Sequence, residues 1–328
     1  MTTPPTDPPP GDGAEQHGDP TDLRPLLFAI AYRMLGSVTD AEDIVQGTYL
    51  RYLDYLQQGH RVESPRSMLI TIATRLAIDH LRSARVQREK YMGPWLPEPL
   101  ITSAAPDTAD LAVMSDSLSM AFLLLLETLS PVERAVFLLR EVFAYDYGDI
   151  AHIVDKTPDN CRQLLNRARR HIAAGRRRFD ADATRRDQLA DRFFAAAENG
   201  DLDDLVQWLA DDVSFYGDGG GVGRGLPRPI FGRIRVHRVL AAIMGAYRSL
   251  GVRLQHAQIN GQPGVLAFDP DGALINVLTL DIYGGRICTI RSVINPHKLR
   301  HLGFALSPLA CRDPMTHRAP TENHRAHE

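Results

Sequence analysis

The sequence predicts a multidomain protein in which two all-α domains, the second a helix-turn-helix, precede one α+β domain. Apolar residues recur at three- and four-residue steps through 22–90 and again through 113–178, which is typical of amphipathic helices. After about residue 184, two more helices lead into short apolar runs separated by DPDG and YGGR, which indicate strands and hairpin turns. Between the helical domains, GPWLPEPLITSAAPD holds four prolines and predicts a linker over 91–112, because proline lacks an N–H and disfavours helix before it.

Composition limits what else the chain can be. Its 328 residues carry a net charge of −3, so any nucleic-acid signal must be local rather than global. The three cysteines form no CxxC pair, which excludes a structural zinc framework and favours a reducing cytoplasm. The apolar runs are far shorter than the roughly 20 residues that a bilayer crossing needs. We therefore expect no membrane contact. The composition of the two ends predicts disordered tails at 1–21 and 306–328, and the α+β domain is predicted over 185–305.

The first helical domain contains three predicted helices. The second helix begins near Thr39 as N-cap, and the third begins at Ser64-Pro65, with proline at its first position. Acids and aliphatic residues mix at the start of the second helix, which suits a basic partner surface, although simple matching of the helix dipole explains the acids as well. The segment 61–90 carries seven Lys or Arg and three acids, and could follow a DNA strand or be a solvated face.

The segment DYGDIAHIVDKTPDNCRQLLNRARRHI predicts a helix-turn-helix. A helix over 146–154 is followed by the turn Asp155-Lys156, and Thr157 then caps a second helix. Cys161, Leu165 and Ala168 lie on the apolar stripe of that helix, and eight basic residues stand against one acid between 156 and 178. A basic helix after a tight turn is how this motif enters the major groove. A solvated basic helix in a bundle is the alternative.

These segments together resemble a known family. DAEDIVQGTYLR, SPRSMLITIATRLAIDHLRSAR and LSPVERAVFLLREVF with its helix-turn-helix resemble the two domains of extracytoplasmic-function sigma factors, the bacterial RNA polymerase subunits that direct promoter recognition. GPWLPEPL, the DGGG loop at 218–221 and NPHKL at 295–299 resemble the SigJ-like subgroup, which carries a fused SnoaL-like cone-shaped α+β domain. The resemblance covers about residues 22–305.

The resemblance implies three sets of contacts. Binding to core polymerase is implied for Asp40, Glu42, Asp43, Ile44 and Gln46. Contact with the melted minus-ten element is implied for Arg61, Arg75, Asp79, Arg82 and Arg85. Reading of the double-stranded minus-thirty-five element is implied for Asn160, Arg162, Gln163, Asn166, Arg167 and Arg170.

The stretch DGGGVGRG at 218–225 is not a phosphate loop. No Gly-Lys-Ser/Thr follows it, and the two prolines of GLPRPIFG oppose an immediate helix. We instead expect its glycines to let the backbone approach the helical domains or the linker, so that the C-terminal domain regulates the sigma factor in cis. The residues expected to make these regulatory contacts are Trp95, Leu96, Pro97, Glu98, Asp218, Gly219, Gly220, Gly221, Asn295, Pro296 and Lys298.

This sequence departs from the subgroup pattern at three positions. Asp155 stands where the helix-turn-helix usually has glycine, Val222 where the glycine loop usually has lysine, and His297 where NPHKL usually has aspartate. If the regulatory contact depends on a Lys–Asp pair, both of its partners are altered here.

Two other functions remain open at this point. The chain could be a helix-turn-helix regulator that binds DNA without polymerase, or a bifunctional protein whose cone holds a small molecule or a cyclase- or isomerase-like site. The polar candidates for such a site form no recognisable catalytic dyad, so we expect no enzyme, no metal and no cofactor. These candidates are Asp212, Tyr216, Asp218, His256 and Asp281.

Overall fold

A computed structural model describes residues 19–88, 90–102, 117–175 and 183–311. The first helical domain comprises α1 (Arg24–Leu35), α2 (Val38–Gln57) and α3 (Pro65–Arg88), after a 3-10 turn at Pro20–Leu23. The second comprises α4 (Met120–Leu126), α5 (Pro131–Glu141), α6 (Tyr147–Val154) and α7 (Pro158–Gly175).

The C-terminal domain wraps helices around a mixed sheet. Its helices are α8 (Ala183–Asn199), α9 (Leu202–Trp208), α10 (Arg233–Ser249) and the short α11 (Pro296–Leu299). Its strands are β2 (Leu209–Asp218), β3 (Ile230–Phe231), β4 (Arg253–Ile259), β5 (Gln262–Phe268), β6 (Leu274–Tyr283) and β7 (Arg286–Val293). The predicted helical and strand regions of this domain reappear in the structure, and the two-residue strand β3 was missed.

The start of α2 differs from the prediction. Ser37, not Thr39, is the N-cap, and its hydroxyl accepts a hydrogen bond from the Asp40 amide at 3.1 Å. Gly36 ends α1 with a left-handed φ of 67°, so the chain turns at once and Ser37 is the first residue able to cap.

Within the helical periodicity predicted over 113–178, the leucine-rich run suggests one continuous helix over 113–140, and the structure has two helices there. Ser130 and Glu133 form a capping box that starts α5, with Pro131 at its first position. Both signals stand in the sequence as SPVE, and the run of leucines before them obscured the break. Residues 113–116 lie outside the described part of the chain.

The helix-turn-helix has the predicted geometry. Asp155 takes a left-handed φ of 55° at the end of α6, a conformation that aspartate tolerates in place of glycine. The Thr157 hydroxyl then accepts a hydrogen bond from the Asn160 amide at 3.2 Å and caps α7. The aspartate therefore does not prevent the turn.

The sheet recruits the linker as an edge strand. The strand order is β1-β4-β5-β6-β7-β2-β3, and β1 is Ile101–Thr102 from the predicted linker, antiparallel to β4. The linker is therefore part of the C-terminal domain's sheet over these residues, which its proline content concealed. Residues 103–116 lie outside the described chain.

The predicted tails begin further out than residues 21 and 306. Asp19 accepts a hydrogen bond from the Thr21 amide, and at the other end the Ser307 amide donates to the Leu274 carbonyl at 2.9 Å. The Arg224 amide also donates to the Ala310 carbonyl, so 306–311 pack onto the domain. The rest of the predicted tails, 1–18 and 312–328, lies outside the described residues.

The two helical domains share one hydrophobic core. Leu27 and Ile70 of the first domain belong to the same buried cluster as Val136, Ile150 and Leu165 of the second. A second cluster joins Leu96 of the linker and Met120 of α4 to the sheet. The three domains therefore pack together in one closed arrangement.

Candidate nucleic-acid interface and interdomain contacts

The outer face of α7 is open to solvent. Cys161, Leu165 and Ala168 are fully buried beneath it, and Ile172 is nearly so. The residues predicted to read the minus-thirty-five element are all exposed: Asn160, Arg162, Gln163, Asn166, Arg167 and Arg170. Among them, Arg162 already pairs with Asp159 and lies over the Tyr147 ring at 5.1 Å. The amides and Arg167 remain available for base edges and phosphates.

The basic helix α3 is only partly free. The Arg75 guanidinium donates to the carbonyls of His152 and Ile153, both at 2.9 Å, and so satisfies the last carbonyls of α6. Asp79 and Arg82 form an exposed pair at 3.0 Å, and Arg61 is exposed. The side chain of Arg85 lies outside the described residues. In this arrangement, therefore, Arg75 holds the two helical domains together rather than facing a DNA strand.

The start of α2 presents only part of the predicted core-binding set. Ile44 is 7% exposed and packs in the shared core, so its assignment to an exposed acid–aliphatic face is wrong. Asp40 lies 3.3 Å from His80, and Glu42 pairs with Arg24. Asp43 and Gln46 face solvent.

Sequence reasoning missed the apolar part of this face. Leu50 is 69% exposed and Leu53 is 50% exposed, and they follow Asp43 and Gln46 at steps of three and four residues. We call Asp43, Gln46, Leu50 and Leu53 the α2 face. Both leucines lie on the side of α2 opposite the buried Val45, Thr48 and Tyr52, and this position was the available signal. It was missed because hydrophobic periodicity assigns every leucine to the core.

The linker caps the same helix. The Glu98 carboxylate accepts hydrogen bonds from the amides of Val38 at 2.7 Å and Thr39 at 3.1 Å, and the Glu98 amide donates to the Gly36 carbonyl. An acid at a helix N-terminus is stabilised by the free amides and the helix dipole. This contact places the linker directly across the beginning of α2.

A buried ion pair fastens the linker to the C-terminal domain. Lys298 of α11 lies 2.7 Å from the fully buried Asp218, which also accepts from the Leu96 amide at 2.8 Å. The Lys298 ammonium also donates to the Leu96 carbonyl and lies 4.3 Å from the Trp95 ring centroid. A Lys–Asp pair is therefore present, made by residues other than the two altered positions, since both Val222 and His297 are exposed.

The glycine loop lies against the other end of the linker. A Cβ on Gly220 would lie 2.2 Å from the Asn295 amide nitrogen and 3.0 Å from the Tyr91 hydroxyl. Gly220 also has a left-handed φ of 57°. The Tyr91 hydroxyl donates to Asp218, and burial together with this carboxylate raises the pKa of Tyr91. The loop therefore needs glycine for a close approach and for its backbone conformation. Pro296 starts α11, and Pro97 is buried beside Leu96.

Asn260, which the sequence did not single out, joins all three domains. It is fully buried at the β4–β5 turn with a left-handed φ of 54°. Its amide nitrogen donates to the Tyr32 hydroxyl at 2.6 Å and the Leu118 carbonyl at 3.0 Å, and its oxygen accepts from the Leu100 amide at 2.9 Å. The Asn-Gly turn signal is visible in the sequence, but nothing there shows what the side chain contacts.

Two buried arginines add polar contacts between the helical domains. Arg134 of α5 donates to the Met34 carbonyl at 2.6 Å and pairs with Glu127 at 2.8 Å, while burial lowers its pKa to about 9. Arg33 of α1 donates to Ser117 at 2.9 Å, and burial lowers its pKa to about 10. Such groups are costly to bury without these partners.

The C-terminal domain also holds a cavity of about 350 Å³ between α8, α10 and β4. Met244 and Leu254 contribute to its apolar lining, and its polar lining residues are Glu198, Tyr247, Arg248 and Arg253. None of the five polar residues considered for catalysis lines it. Asp218 and Asp281 are in ion pairs with Lys298 and Arg291, and His256 lies 3.0 Å from Asp191.

The described part of the chain contains neither a membrane span nor a metal cluster. No helix in that part is both long and apolar enough to span a bilayer. Within the same residues, no three His, Cys, Asp or Glu side chains are grouped to hold a metal ion.

Comparison with known proteins assigns the helical domains. A Sigma-70 region 2 model matches residues 21–86, and a Sigma-70, region 4 model matches residues 119–172. The ECF RNA polymerase sigma factor SigJ of Mycobacterium tuberculosis is 33% identical over 298 residues, covering 88% of this chain and 92% of that relative. The chain belongs to the extracytoplasmic-function sigma factors. We therefore call the two helical domains the region 2 domain and the region 4 domain.

Two further matches of this sigma factor extend through the C-terminal domain. The probable ECF RNA polymerase sigma factor SigI of M. tuberculosis is 33% identical over 278 residues, covering 84% of this chain and 92% of that protein. The crystal structure of M. tuberculosis SigJ superposes with a TM-score of 0.67 at 30% identity, over 88% of this chain and 98% of that one. The predicted family and fold class are confirmed.

Proposed function

We propose that this sigma factor binds core RNA polymerase through the α2 face and directs it to promoters through its region 2 and region 4 domains. The observation that carries the proposal is that both the α2 face and the outer face of α7 are exposed on one chain. On the α2 face, the exposed leucines lie beside an acid and an amide. Protein-binding surfaces have this composition, with an apolar centre and a polar rim. Such a protein acts where the polymerase is, in the cytoplasm.

The two DNA elements require different chemistry. Asn160, Gln163, Asn166 and Arg167 on α7 suit base edges in the major groove of the minus-thirty-five duplex. The minus-ten element is melted, and Arg61, Arg82 and Arg85 suit the phosphates of a single strand. Arg75 would join them only after leaving the carbonyls of α6, since its guanidinium cannot serve both at once.

The closed arrangement would then regulate the protein in cis. Elements centred 25 base pairs apart lie about 85 Å apart along B-form DNA at roughly 3.4 Å per pair. The Arg75 contact with α6 and the shared core hold region 2 directly against region 4. The two domains must therefore separate before both elements can be read, and the C-terminal domain opposes this by holding the linker.

Leu50→Asp tests the polymerase contact. We expect at least a tenfold loss of affinity for core enzyme, because a charge replaces an apolar anchor in a surface that polymerase would desolvate. Thermal stability should not change, since Leu50 is exposed. Titration of labelled core polymerase and run-off transcription are the measurements.

Leu250→Asp is the matched control, because Leu250 is 45% exposed on the C-terminal domain. It should leave core binding unchanged. If the Leu50→Asp variant binds core enzyme as tightly as the parent does, the α2 face is not the polymerase-binding surface. Tight promoter binding without core enzyme, and no transcription with it, would favour the DNA-binding regulator instead.

We propose that the C-terminal domain binds a small molecule in the cavity between α8, α10 and β4. Arg248 and Arg253 have no ion-pair partner among the described residues, and they line the cavity with apolar side chains and a single acid, Glu198. This combination suits a small aromatic carboxylate. Benzoate and salicylate should raise the melting temperature of the full chain, and should do so less for Arg248→Gln/Arg253→Gln. Equal shifts in both proteins would argue against binding at this cavity.

A further inference from the structure

One segment of the C-terminal domain has a charge unlike the rest of the chain. Residues 219–268 contain seven arginines and no aspartate, glutamate or lysine, although 40 acids are spread over the 328 residues. The overall charge of −3 hides this segment. Arginines occur throughout the chain, so the local feature that needs an explanation is the absence of acids beside these seven.

Five of these arginines are exposed and have no polar partner among the described residues: Arg248 and Arg253 at the cavity, and three nearer the start of the segment. Arg228, Arg235 and Arg238 form no ion pair or hydrogen bond within the described residues. By contrast, Arg233 pairs with Asp211 at 2.8 Å. Exposed arginines elsewhere also have acids, such as Arg169 with Glu141 at 2.7 Å. The three arginines are thus free to bind an external anion.

The three lie within eleven residues of one another around β3 and the start of α10, and we call Arg228, Arg235 and Arg238 the basic face. Arg228 precedes β3, while Arg235 and Arg238 lie in the first two turns of α10. Val236, Leu240 and Met244 pack α10 onto the domain, so the helical repeat turns Arg235 and Arg238 outward. Phe231 and Ile234, which are 56% and 67% exposed, lie in the same stretch of chain.

We propose that the basic face binds the phosphate backbone of double-stranded DNA beside the promoter. Guanidinium groups match phosphate oxygens in a two-pronged geometry. The exposed Phe231 and Ile234 can contact the sugars between phosphates. No base-reading amide is needed, so the contact adds affinity and not sequence preference.

DNA is the occupant because the rest of the chain brings it there. This inference rests on the proposed function, in which region 2 and region 4 hold the promoter. A third domain tethered to a bound duplex meets it at a high effective concentration, so three phosphate contacts can matter even when each is weak. The basic face would thereby favour the open arrangement on DNA over the closed one.

The test compares two triple variants in holoenzyme. Arg228→Gln/Arg235→Gln/Arg238→Gln removes the basic face. Arg192→Gln/Arg286→Gln/Arg300→Gln removes the same charge from exposed positions on α8, at the start of β7 and just after α11. Promoter affinity is measured against KCl concentration on a duplex extending beyond both elements. Binding of each free chain to non-promoter duplex at low salt is measured in parallel.

We expect the first variant alone to lower the slope of log affinity against log salt by about 2.7, since each phosphate contact contributes roughly 0.9. It should still support run-off transcription at saturating DNA, which shows that regions 2 and 4 work. An unchanged slope with normal transcription would overturn the basic face while leaving the proposed function intact.

Two other results are also informative. Weaker binding to core polymerase without DNA would mean that the surface contacts protein, and the proposal is then wrong. If the parent chain fails to direct transcription, the proposed function fails. The low-salt assay then decides the basic face separately: loss of binding in the first variant alone supports it, and equal binding by all three chains rejects it.

Discussion

Lys298→Met is expected to loosen the closed arrangement and to raise the affinity for core polymerase. The substitution leaves Asp218 charged, fully buried and without its cation, which typically costs about 3–5 kcal/mol. It also removes the hydrogen bond to the Leu96 carbonyl, so the linker is released on the side that caps α2. If the open form binds polymerase, apparent affinity rises with its population, by a factor of ten for each 1.4 kcal/mol or so.

Arg291→Met supplies a matched control for Lys298→Met. Arg291 and Asp281 are also a buried ion pair, but both lie in the sheet of the C-terminal domain. Both variants should unfold at lower denaturant concentration, and only Lys298→Met should bind core enzyme more tightly. Equal effects of the two variants on core binding would mean that the Lys298 pair serves domain stability and not regulation.

Asn260→Gly is expected to uncouple the three domains at the β4–β5 turn. Glycine accepts the left-handed φ without strain, so the substitution isolates the loss of the side chain. It leaves the partly buried Leu100 amide and Leu118 carbonyl without their partners, and the cost for each is below the roughly 1–3 kcal/mol of a fully buried group. Hydrogen exchange followed by mass spectrometry should show faster exchange in β1 and the linker, with β6 and β7 unchanged.

Asp271→Gly is the control for Asn260→Gly, since Asp271 is exposed in the neighbouring β5–β6 turn. It introduces glycine into the same sheet without touching a helical domain. Faster exchange in β1 for both variants, or for neither, would show that the Asn260 side chain does not connect the domains.

Much of the architecture could be predicted because it depends on local chemistry. Thr157 caps α7 and Pro65 starts α3 as expected, since a cap or a first-turn proline acts within a few residues. The stripe of Cys161, Leu165 and Ala168 is buried because helical periodicity sets which residues share a side. The break before α5 was missed although its capping box is local, because the leucine run before it was read as continuous helix.

The partners of polar side chains could not be predicted in the same way. Arg75, predicted to contact a DNA strand, bonds to α6 in this closed arrangement, and Ile44, predicted on an exposed acid–aliphatic face, is in the core. The sequence does not reveal these two contacts because a helix has several polar or mixed faces, and the packing of α1–α3 against α4–α7 decides which of them is covered. Asn260 was missed because its contacts are 228, 160 and 142 residues away in sequence.

By itself, the sequence determined the order of the domains, the caps and turns of their helices, the basic helix α7 and the glycines that permit a close approach at 219–221. Only the tertiary structure decided which charges are paired and which are free: Lys298 with Asp218, Glu98 on α2, and Arg228, Arg235 and Arg238 open to solvent. The physical reason is the sequence separation over which each interaction acts. Backbone conformation and capping act over one helical turn, whereas a charge is satisfied by any group that folding brings within about 3 Å, however distant in sequence.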